Sequence, residues 1–124
     1  MYLLDTHILL WWLAGNSPLS EEALTVIQNP QELIWISSVT VWEIVIKQSL
    51  GKLKAPDNLV EVISKNSFKE LPVTFNHVES LRDLPNHHSD PFDRLLIAQA
   101  LSENLTLITR DRKIAAYSLK ILEG

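Results

Sequence analysis

Four carboxylates stand where the sequence pattern predicts buried or sheet-edge positions. Asp5 and Asp111 each follow a short apolar run that is typical of a β-strand. Glu43 and Asp93 interrupt two helical patterns that are otherwise strongly apolar on the same side. Because the carboxyl ends of parallel strands meet at one edge of a sheet, Asp5 and Asp111 are expected to lie close together. A buried carboxylate is costly unless a cation or a hydrogen-bond donor meets it, so these acids are the candidates for chemistry.

A divalent cation is the partner that suits such a group of acids. Like charges gathered together raise one another's pKa, and a divalent ion relieves that repulsion. The chain has no cysteine and no histidine pair at helical spacing, so the ligands are hard oxygens, which favours Mg²⁺ or Mn²⁺, as one or two ions. Such ions activate water and stabilise the charge that develops on a phosphate during in-line displacement.

Each acid also has a simpler interpretation as a structural residue. Asp90 has the spacing of a helix N-cap three residues before another acid, and Asp5 and Asp111 suit caps as well. Glu43 suits an ion pair with Lys47 one turn later, worth about 0.2–0.5 kcal/mol on an exposed face. The joint occurrence of the acids favours the metal site, and for Asp90 the roles of ligand and cap both stay open.

Histidines lie beside two of these acids. His87 and His88 precede the helix that carries Asp93, but adjacent histidines do not easily reach one ion, and metal-binding pairs usually stand four residues apart on a helix. We therefore interpret both as polar residues of a loop. His7 lies close to Asp5 and its role is left open in the same way.

The elements that must position these residues alternate between strand-like and helix-like segments. Apolar runs without polar alternation favour strands buried on both faces, which is typical of a parallel sheet covered by helices. Breaks are expected at Asn16 to Pro18 and at Gly51, Asp57 is expected to cap a helix, and Pro91 suits a first helical position. The predicted strands are 2–4, 33–36, 70–73, 106–109 and 119–122. The predicted helices are 8–15, 20–27, 39–50, 59–68, 74–81, 91–100 and 114–117.

Length and composition limit the class of protein. With 124 residues, 46% of them hydrophobic, the chain is expected to form one domain over residues 1–124. The formal net charge of −4 excludes the basic field that many nucleic-acid binders use, so a polyanion must be held locally or through metal ions. The absence of cysteine fits a reducing compartment, and neither a signal peptide nor a membrane span is apparent. We expect a soluble, cytoplasmic protein.

The basic and aromatic residues are few. Basic side chains lie around the Gly51 stop, around Asp111 and in the helix opened by Pro91, and they suit either a solvated face or phosphate contacts. The tryptophans are expected in the core or at an interface. The candidates for RNA contacts are Lys47, Lys52, Arg94, Arg110 and Arg112.

Four stretches in order carry a resemblance that covers essentially the whole chain. They are Leu3-Leu4-Asp5-Thr6-His7, Ser38-Val39-Thr40-Val41-Trp42-Glu43-Ile44, Asp90-Pro91-Phe92-Asp93-Arg94-Leu95-Leu96-Ile97-Ala98-Gln99-Ala100, and Leu107-Ile108-Thr109-Arg110-Asp111. Through them the chain resembles the PIN-domain family, and within it the VapC-type toxins of toxin–antitoxin pairs. The resemblance implies a protein of the α/β class. Its fold is expected to have three layers, α/β/α, with a central parallel sheet of four or five strands.

The same resemblance implies a site and partners. It implies a Mg²⁺- or Mn²⁺-dependent endoribonuclease, with Thr6 and Thr109 as hydroxyls that support the ligands and Asp90 in the motif that opens a helix. It also implies a homodimer and a small antitoxin that covers the acidic groove and often binds DNA. The metal ligands that it implies are Asp5, Glu43, Asp93 and Asp111. The tryptophans that are candidates for the antitoxin contact are Trp11, Trp12 and Trp42.

The sequence thus leads to one hypothesis and two rivals. The hypothesis is a toxin ribonuclease in which metal-activated water attacks an RNA phosphodiester and releases 3′-hydroxyl and 5′-phosphate ends. One rival is a non-catalytic binding module of the same fold for protein or RNA, in which the acids only cap helices. The other is an aspartyl-phosphate protein of the receiver or phosphatase kind. Asp5-Thr6-His7 offers neither the double acid nor the D-x-D motif of those proteins, which speaks against it.

Overall fold

A parallel sheet organises the part of the chain that is described, residues 1–15 and 18–124 of a computed structural model. The predicted break at Asn16 and Ser17 lies outside the described residues. The strands are β1 (Tyr2–Leu4), β2 (Ile34–Ser37), β3 (Lys69–Leu71), β4 (Thr106–Thr109) and β5 (Ile121–Glu123). The helices are α1 (Thr6–Ala14), α2 (Glu21–Gln28), α3 (Ser38–Ser49), α4 (Leu59–Lys65), α5 (Phe75–Glu79) and α6 (Pro91–Glu103), with 3-10 helices at Ser80–Asp83 and Ile114–Ala116.

The strand order creates a switch point beside β1. The sheet runs β3-β2-β1-β4-β5 with every pair parallel, and Leu3 of β1 is in register with Trp35 on one side and Leu107 on the other. The chain therefore proceeds outward from β1 in one direction through β3 and then crosses to β4 on the other side. In such sheets the crevice beyond the carboxyl ends of the two strands at the switch point is where ligands bind.

Apolar side chains fill both faces of the sheet. Leu4 packs with Ile8, Ile44 and other residues of one buried cluster, whereas its neighbour Leu3 belongs to a second cluster on the opposite face. That second cluster contains Leu96, which comes from α6. This alternation along β1 is the consequence of side chains pointing to opposite faces of a strand. It confirms the expected three-layer α/β/α fold with a parallel sheet of five strands.

Side-chain caps begin most of the longer helices. Ser20 accepts a hydrogen bond from the Ala23 N–H at the start of α2, and Ser37 accepts one from the Val39 N–H at the start of α3. The predicted cap at Asp57 is wrong. Helix α4 begins at Leu59 after Asn58, and Asp57 instead accepts a 3.4 Å hydrogen bond from a glutamine side chain.

Several observed helix and strand ends differ from the predicted ends because of local backbone features. Helix α4 ends at Lys65 instead of 68 because Ser67 has a φ of 61°, the left-handed region that ends a helix. The third strand is Lys69–Leu71 instead of 70–73, since Pro72 has no N–H to donate to the ladder. The last strand begins at 121 instead of 119 because the Leu119 N–H donates to the Tyr117 carbonyl in a tight turn. Among the described helices, none combines the length and the apolar character needed to cross a membrane.

Candidate metal centre

Asp5 and Thr109 meet at the switch point, at the ends of β1 and β4. Asp5 caps α1 by accepting a 2.9 Å hydrogen bond from the Ile8 N–H on Oδ1. Its Oδ2 accepts a 2.5 Å hydrogen bond from the Thr109 hydroxyl. The Thr109 oxygen in turn accepts a 3.1 Å hydrogen bond from the Asp111 N–H. Thr109 therefore ties the two strand-end acids together, and the expectation that they share one sheet edge is confirmed.

Burial dominates the electrostatics of Asp5. The side chain is buried, which raises the pKa of its carboxyl. The hydrogen bonds from Thr109 and Ile8 and the nearby His7 lower that pKa, while the charge of Asp111 raises it, and the net direction is upward. A carboxylate in this position gains stability from any cation that comes close to it.

Glu43 is buried on α3 and accepts hydrogen bonds on both oxygens. The Thr6 hydroxyl donates to Oε1 at 2.6 Å, and the Lys47 ammonium lies 2.6 Å from Oε2. The pair with Lys47 exists as the spacing suggests, but the assumption of an exposed face is wrong, since Glu43 is 4% exposed. The hydrogen bond to Glu43 raises the pKa of Lys47, and the charges of Asp90 and Asp93 raise it further against partial burial.

His88 joins Asp93 and Asp111. Its Nε2 forms a 2.9 Å hydrogen bond with Oδ2 of Asp111 and lies 3.0 Å from Oδ2 of Asp93. These three ligand atoms all lie within 4.8 Å of one another. His88 lies in the loop before α6, as interpreted from the sequence, and the structure adds its contacts with two acids of the candidate site. His87 lies in the same loop, is exposed and packs its ring edge-on against Tyr117.

The sequence contains only a weak indication that His88 lies at the site. Its contact with Asp111 spans 23 positions, so helical spacing does not show it. Its place two residues before Asp90, the cap of the helix that carries Asp93, is the one local indication.

The pKa of the Asp93 carboxyl is raised to about 7. Burial is the largest cause, the charges of Asp90, Glu43 and Asp5 act in the same direction, and His88 opposes them. The Nε2 atom of His88 lies 3.0 Å from Oδ2 of Asp93. The acids are thus close enough to influence the pKa of Asp93.

Asp111 has the opposite tendency. Partial burial raises the pKa of its carboxyl, but the hydrogen bonds from the His88 side chain and the Lys113 N–H outweigh burial and hold that pKa below its usual range. Asp111 therefore stays ionised beside Asp93. Opposite shifts of two neighbouring carboxyls are typical of functional sites.

Asp90 acts as the N-cap of α6. Its Oδ1 accepts hydrogen bonds of 2.8 Å from the Phe92 N–H and 3.1 Å from the Asp93 N–H. Its charge still contributes to the field at Asp93 and Lys47. The structure thus shows the capping role that the sequence left open.

The acids fit a divalent cation by the chemistry of their donors. Asp5, Glu43, Asp93 and Asp111 supply oxygens, which Mg²⁺ and Mn²⁺ prefer, and the raised pKa of Asp93 shows that its anion would gain from a nearby cation. A depression of about 380 Å³ opens beside Asp5 and Asp111. Its other lining residues are His7, Trp11 and Arg110.

Two of the arginines that were predicted to contact RNA make hydrogen bonds within the chain. Arg94 donates to the carbonyls of Leu84, Pro85 and His88 and to the Tyr117 hydroxyl, so its guanidinium is engaged within the chain and its contact with RNA stays a prediction. Arg110 also donates hydrogen bonds to backbone carbonyls of the chain.

The contacts of Arg110 are made with the ends of the described chain. Its guanidinium donates to the carbonyls of Pro18 and Gly124 and lies 4.6 Å from the ring centre of Trp11. Lys52 and Arg112 are exposed, and among the described residues neither side chain has a hydrogen-bond or ion-pair partner. These two side chains are the ones that remain accessible for phosphate.

The three candidate tryptophans differ in exposure. The Trp12 indole N–H donates to Asn66 at 3.0 Å, and its ring packs against the core. Trp11 is partly buried beneath Arg110. Trp42 is 56% exposed and meets Phe92 edge-on with 4.9 Å between ring centres. Trp42 is therefore the tryptophan that suits a partner contact.

Comparison with known proteins gives matches over nearly the whole chain. Ribonuclease VapC22 of Mycobacterium tuberculosis is 26% identical over 123 residues, which cover 93% of this chain and 90% of that protein. The structure of VapBC2 from Rickettsia felis bound to a promoter DNA fragment is similar with a TM-score of 0.72 at 16% identity, covering 98% of this chain and 96% of that one.

FitAcB from Neisseria gonorrhoeae is similar with a TM-score of 0.70 at 19% identity, covering 99% of this chain and 97% of that one. These likenesses show the fold. The sequence profile described as the PIN domain matches residues 2–120. The resemblance inferred from the four sequence stretches is thereby confirmed, and the chain belongs to the PIN domain family.

Proposed function

We propose that this protein is a Mg²⁺- or Mn²⁺-dependent endoribonuclease that acts in the cytoplasm as the toxin of a toxin–antitoxin pair. The observation that carries the proposal is the convergence of Asp93 and Asp111 with Asp5 and Glu43 at the switch-point end of the sheet. Similarity to a protein named as a ribonuclease supports the nuclease activity.

The residues of the chain have distinct roles in this proposal. The four acids hold one or two ions, Thr6 orients Glu43, and Thr109 orients Asp5. A bound divalent ion supplies an activated water and stabilises the charge on the phosphate that is attacked. Breaking the bond between phosphorus and the 3′ oxygen leaves a 3′-hydroxyl on one product and a 5′-phosphate on the other. Lys47 balances the charge of the buried Glu43 carboxylate.

RNA must reach this acidic site on a chain with a net charge of −4. Lys52 and Arg112 are the exposed cations proposed to contact phosphates, with Lys47 closer to the acids. Because so few cations contact phosphates, the affinity for RNA is expected to be modest and to fall as the salt concentration rises.

A protein partner completes the proposal. One similar structure is a toxin–antitoxin complex from Klebsiella pneumoniae, with a TM-score of 0.69 at 21% identity, covering 99% of this chain and 97% of that one. Trp42 and its neighbour Val45 expose apolar surface on α3 beside Phe92. We propose that an antitoxin covers this surface and that the protein forms a homodimer or a toxin–antitoxin hetero-oligomer.

The test is cleavage of a mixed-sequence RNA by purified protein with Mg²⁺ or Mn²⁺, with and without chelator. Asp5→Asn and Asp93→Asn are expected to lower the rate at least about 100-fold while the circular dichroism spectrum is unchanged. Asp83→Asn, an exposed acid in the 3-10 helix, is the control and should cleave like wild type. Cleavage that persists in both site variants, or in chelator, would contradict the proposal.

A non-catalytic module is the second candidate, since Asp5 and Asp90 do cap helices. Calorimetric titration with Mn²⁺ separates the two. The nuclease predicts a binding isotherm that Asp93→Asn weakens, whereas the module predicts no binding by either protein.

A further inference from the structure

The hydrogen bonds around His88 indicate which nitrogen of its ring donates and which accepts. Nδ1 of His88 lies 3.1 Å from the backbone nitrogen of Asp90, whose N–H can only donate. Nδ1 therefore carries a lone pair, and the ring proton is on Nε2. That proton is donated to Oδ2 of Asp111, while Oδ2 of Asp93 lies 3.0 Å from the same nitrogen.

This tautomer is not the one that a metal ligand needs. A histidine that binds a metal through Nε2 leaves that nitrogen bare and usually donates Nδ1–H to an acceptor. Here Nδ1 accepts and Nε2 donates, so His88 presents a proton to the carboxylates of Asp93 and Asp111.

The backbone of His88 is held by a second layer of contacts. The Tyr117 hydroxyl accepts hydrogen bonds from the N–H groups of His87 at 3.1 Å and His88 at 2.9 Å. Arg94 donates to that hydroxyl at 3.3 Å and to the carbonyls of Pro85 at 2.9 Å and His88 at 3.4 Å. We name Arg94 and Tyr117 the loop clamp. It joins the loop to α6 and to the segment after β4.

We propose that His88 is a positioning residue of the metal centre, which holds Asp111 beside Asp93 through Nε2–H without binding the ion, and that the loop clamp holds His88. This inference rests on the proposed metal-dependent function. It assigns to Arg94, at first predicted to contact RNA, a role in the order of the site. Groups that orient metal ligands in this way typically change metal affinity by about 10–100-fold when they are removed.

Two spectroscopic measurements test the role of the ring. In the metal-free protein, hydrogen–nitrogen correlation spectra of the histidine side chains should show a bare Nδ1 and a protonated Nε2 for His88. The signals of His88 are assigned as those that disappear from the spectrum of His88→Gln. With Mn²⁺ bound, electron spin echo modulation should lack the signal of a directly bound imidazole nitrogen. A protonated Nδ1, or an imidazole signal that disappears in His88→Gln, would overturn the inference and make His88 a ligand.

Mn²⁺ affinity of matched variants tests the positioning. Glutamine places its amide nitrogen near the position of Nε2, whereas asparagine reaches only as far as Nδ1. His88→Gln should therefore bind Mn²⁺ within about threefold of wild type, and His88→Asn about 10–100-fold more weakly. His87→Gln is the control, because its exposed ring contacts no acid in the described structure, and it should bind like wild type.

The loop clamp is tested by Tyr117→Phe, which removes the hydroxyl and keeps the buried ring. It should weaken Mn²⁺ binding about 10-fold while leaving the circular dichroism spectrum unchanged. Wild-type affinity in His88→Asn overturns the role of His88, and wild-type affinity in Tyr117→Phe overturns the role of the clamp. A wild-type protein that binds no Mn²⁺ would instead contradict the proposed function, together with any role of His88 toward a metal.

Discussion

The Thr109 hydroxyl donates a 2.5 Å hydrogen bond to Asp5, a residue 104 positions earlier in the chain. The bond joins the ends of the adjacent strands β1 and β4 at the switch point of the sheet. Since the same oxygen accepts from the Asp111 N–H, one hydroxyl sets the separation of two acids.

Removal of this hydroxyl is expected to destabilise the fold. Thr109→Val keeps the shape of the side chain but leaves the buried Asp5 carboxyl without its donor and the Asp111 N–H without its acceptor. The expected loss in the free energy of unfolding is about 1–3 kcal/mol, measured by urea denaturation. Thr109→Ser restores the hydroxyl and should recover more than half of the loss. Equal stability of the valine variant and wild type would show that the bond contributes nothing.

The carboxyl of Asp93 is expected to make the metal-free protein less stable as pH rises. The folded chain keeps a proton on Asp93 up to a pKa of about 7, whereas the unfolded chain releases it near 3.8. Between these values the folded state binds more protons, so the stability that Asp93 contributes is complete below about pH 4 and is lost as pH passes 7. Thermal melts in chelator from pH 4 to 8 measure this decline.

Asp93→Asn is the matched variant, because asparagine is neutral at every pH in the series. Above pH 7 it should be more stable than wild type by roughly 1 kcal/mol, or about 3–6 °C in Tm for a chain of this size. A variant with the same decline as wild type would show that the charge of Asp93 is not its cause.

The partly buried pair of Glu43 and Lys47 is expected to matter more than an exposed pair of the same spacing. Lys47→Met removes the ammonium that lies 2.6 Å from a carboxylate that is 4% exposed. Loss of that partner should cost about 1–3 kcal/mol in urea denaturation. Glu61 and Lys65 form the control pair, also at i and i+4 but with both side chains exposed. Lys65→Met should cost less than about 1 kcal/mol, and equal costs in the two variants would refute the effect of burial.

Arg94 and Arg112 are expected to respond in opposite ways. Arg94→Ala leaves three backbone carbonyls without their donor and should lower the free energy of unfolding by about 1–3 kcal/mol. Arg112→Ala should leave stability within about 0.5 kcal/mol of wild type and weaken binding of single-stranded RNA, with a shallower salt dependence. Binding is measured with the non-cleaving Asp93→Asn background. A stable Arg94 variant with weakened RNA binding would restore the first interpretation of this residue.

Local patterns in the sequence predicted most of the fold and the acids of the site. The continuous apolar run of β4 allows a strand buried on both faces, and the acid-Pro pair at Asp90 and Pro91 starts a helix by capping. Asp5, Glu43, Asp93 and Asp111 are candidates for the site because an acid at a strand end or within an apolar helical pattern is conspicuous. These features depend only on residues that are close together in the chain, so they can be predicted from the sequence.

Tertiary structure alone decided what surrounds each acid. Thr6 meets Glu43 across 37 positions and His88 meets Asp111 across 23, and no helix or strand period produces either contact. The side chain of Arg94 turns toward backbone carbonyls because the loop before α6 folds over it, which its residue type does not indicate. By itself the sequence therefore determined which acids are candidates for the site, and the packing of distant segments determined which donors contact them, because only packing sets distances between residues far apart in the chain.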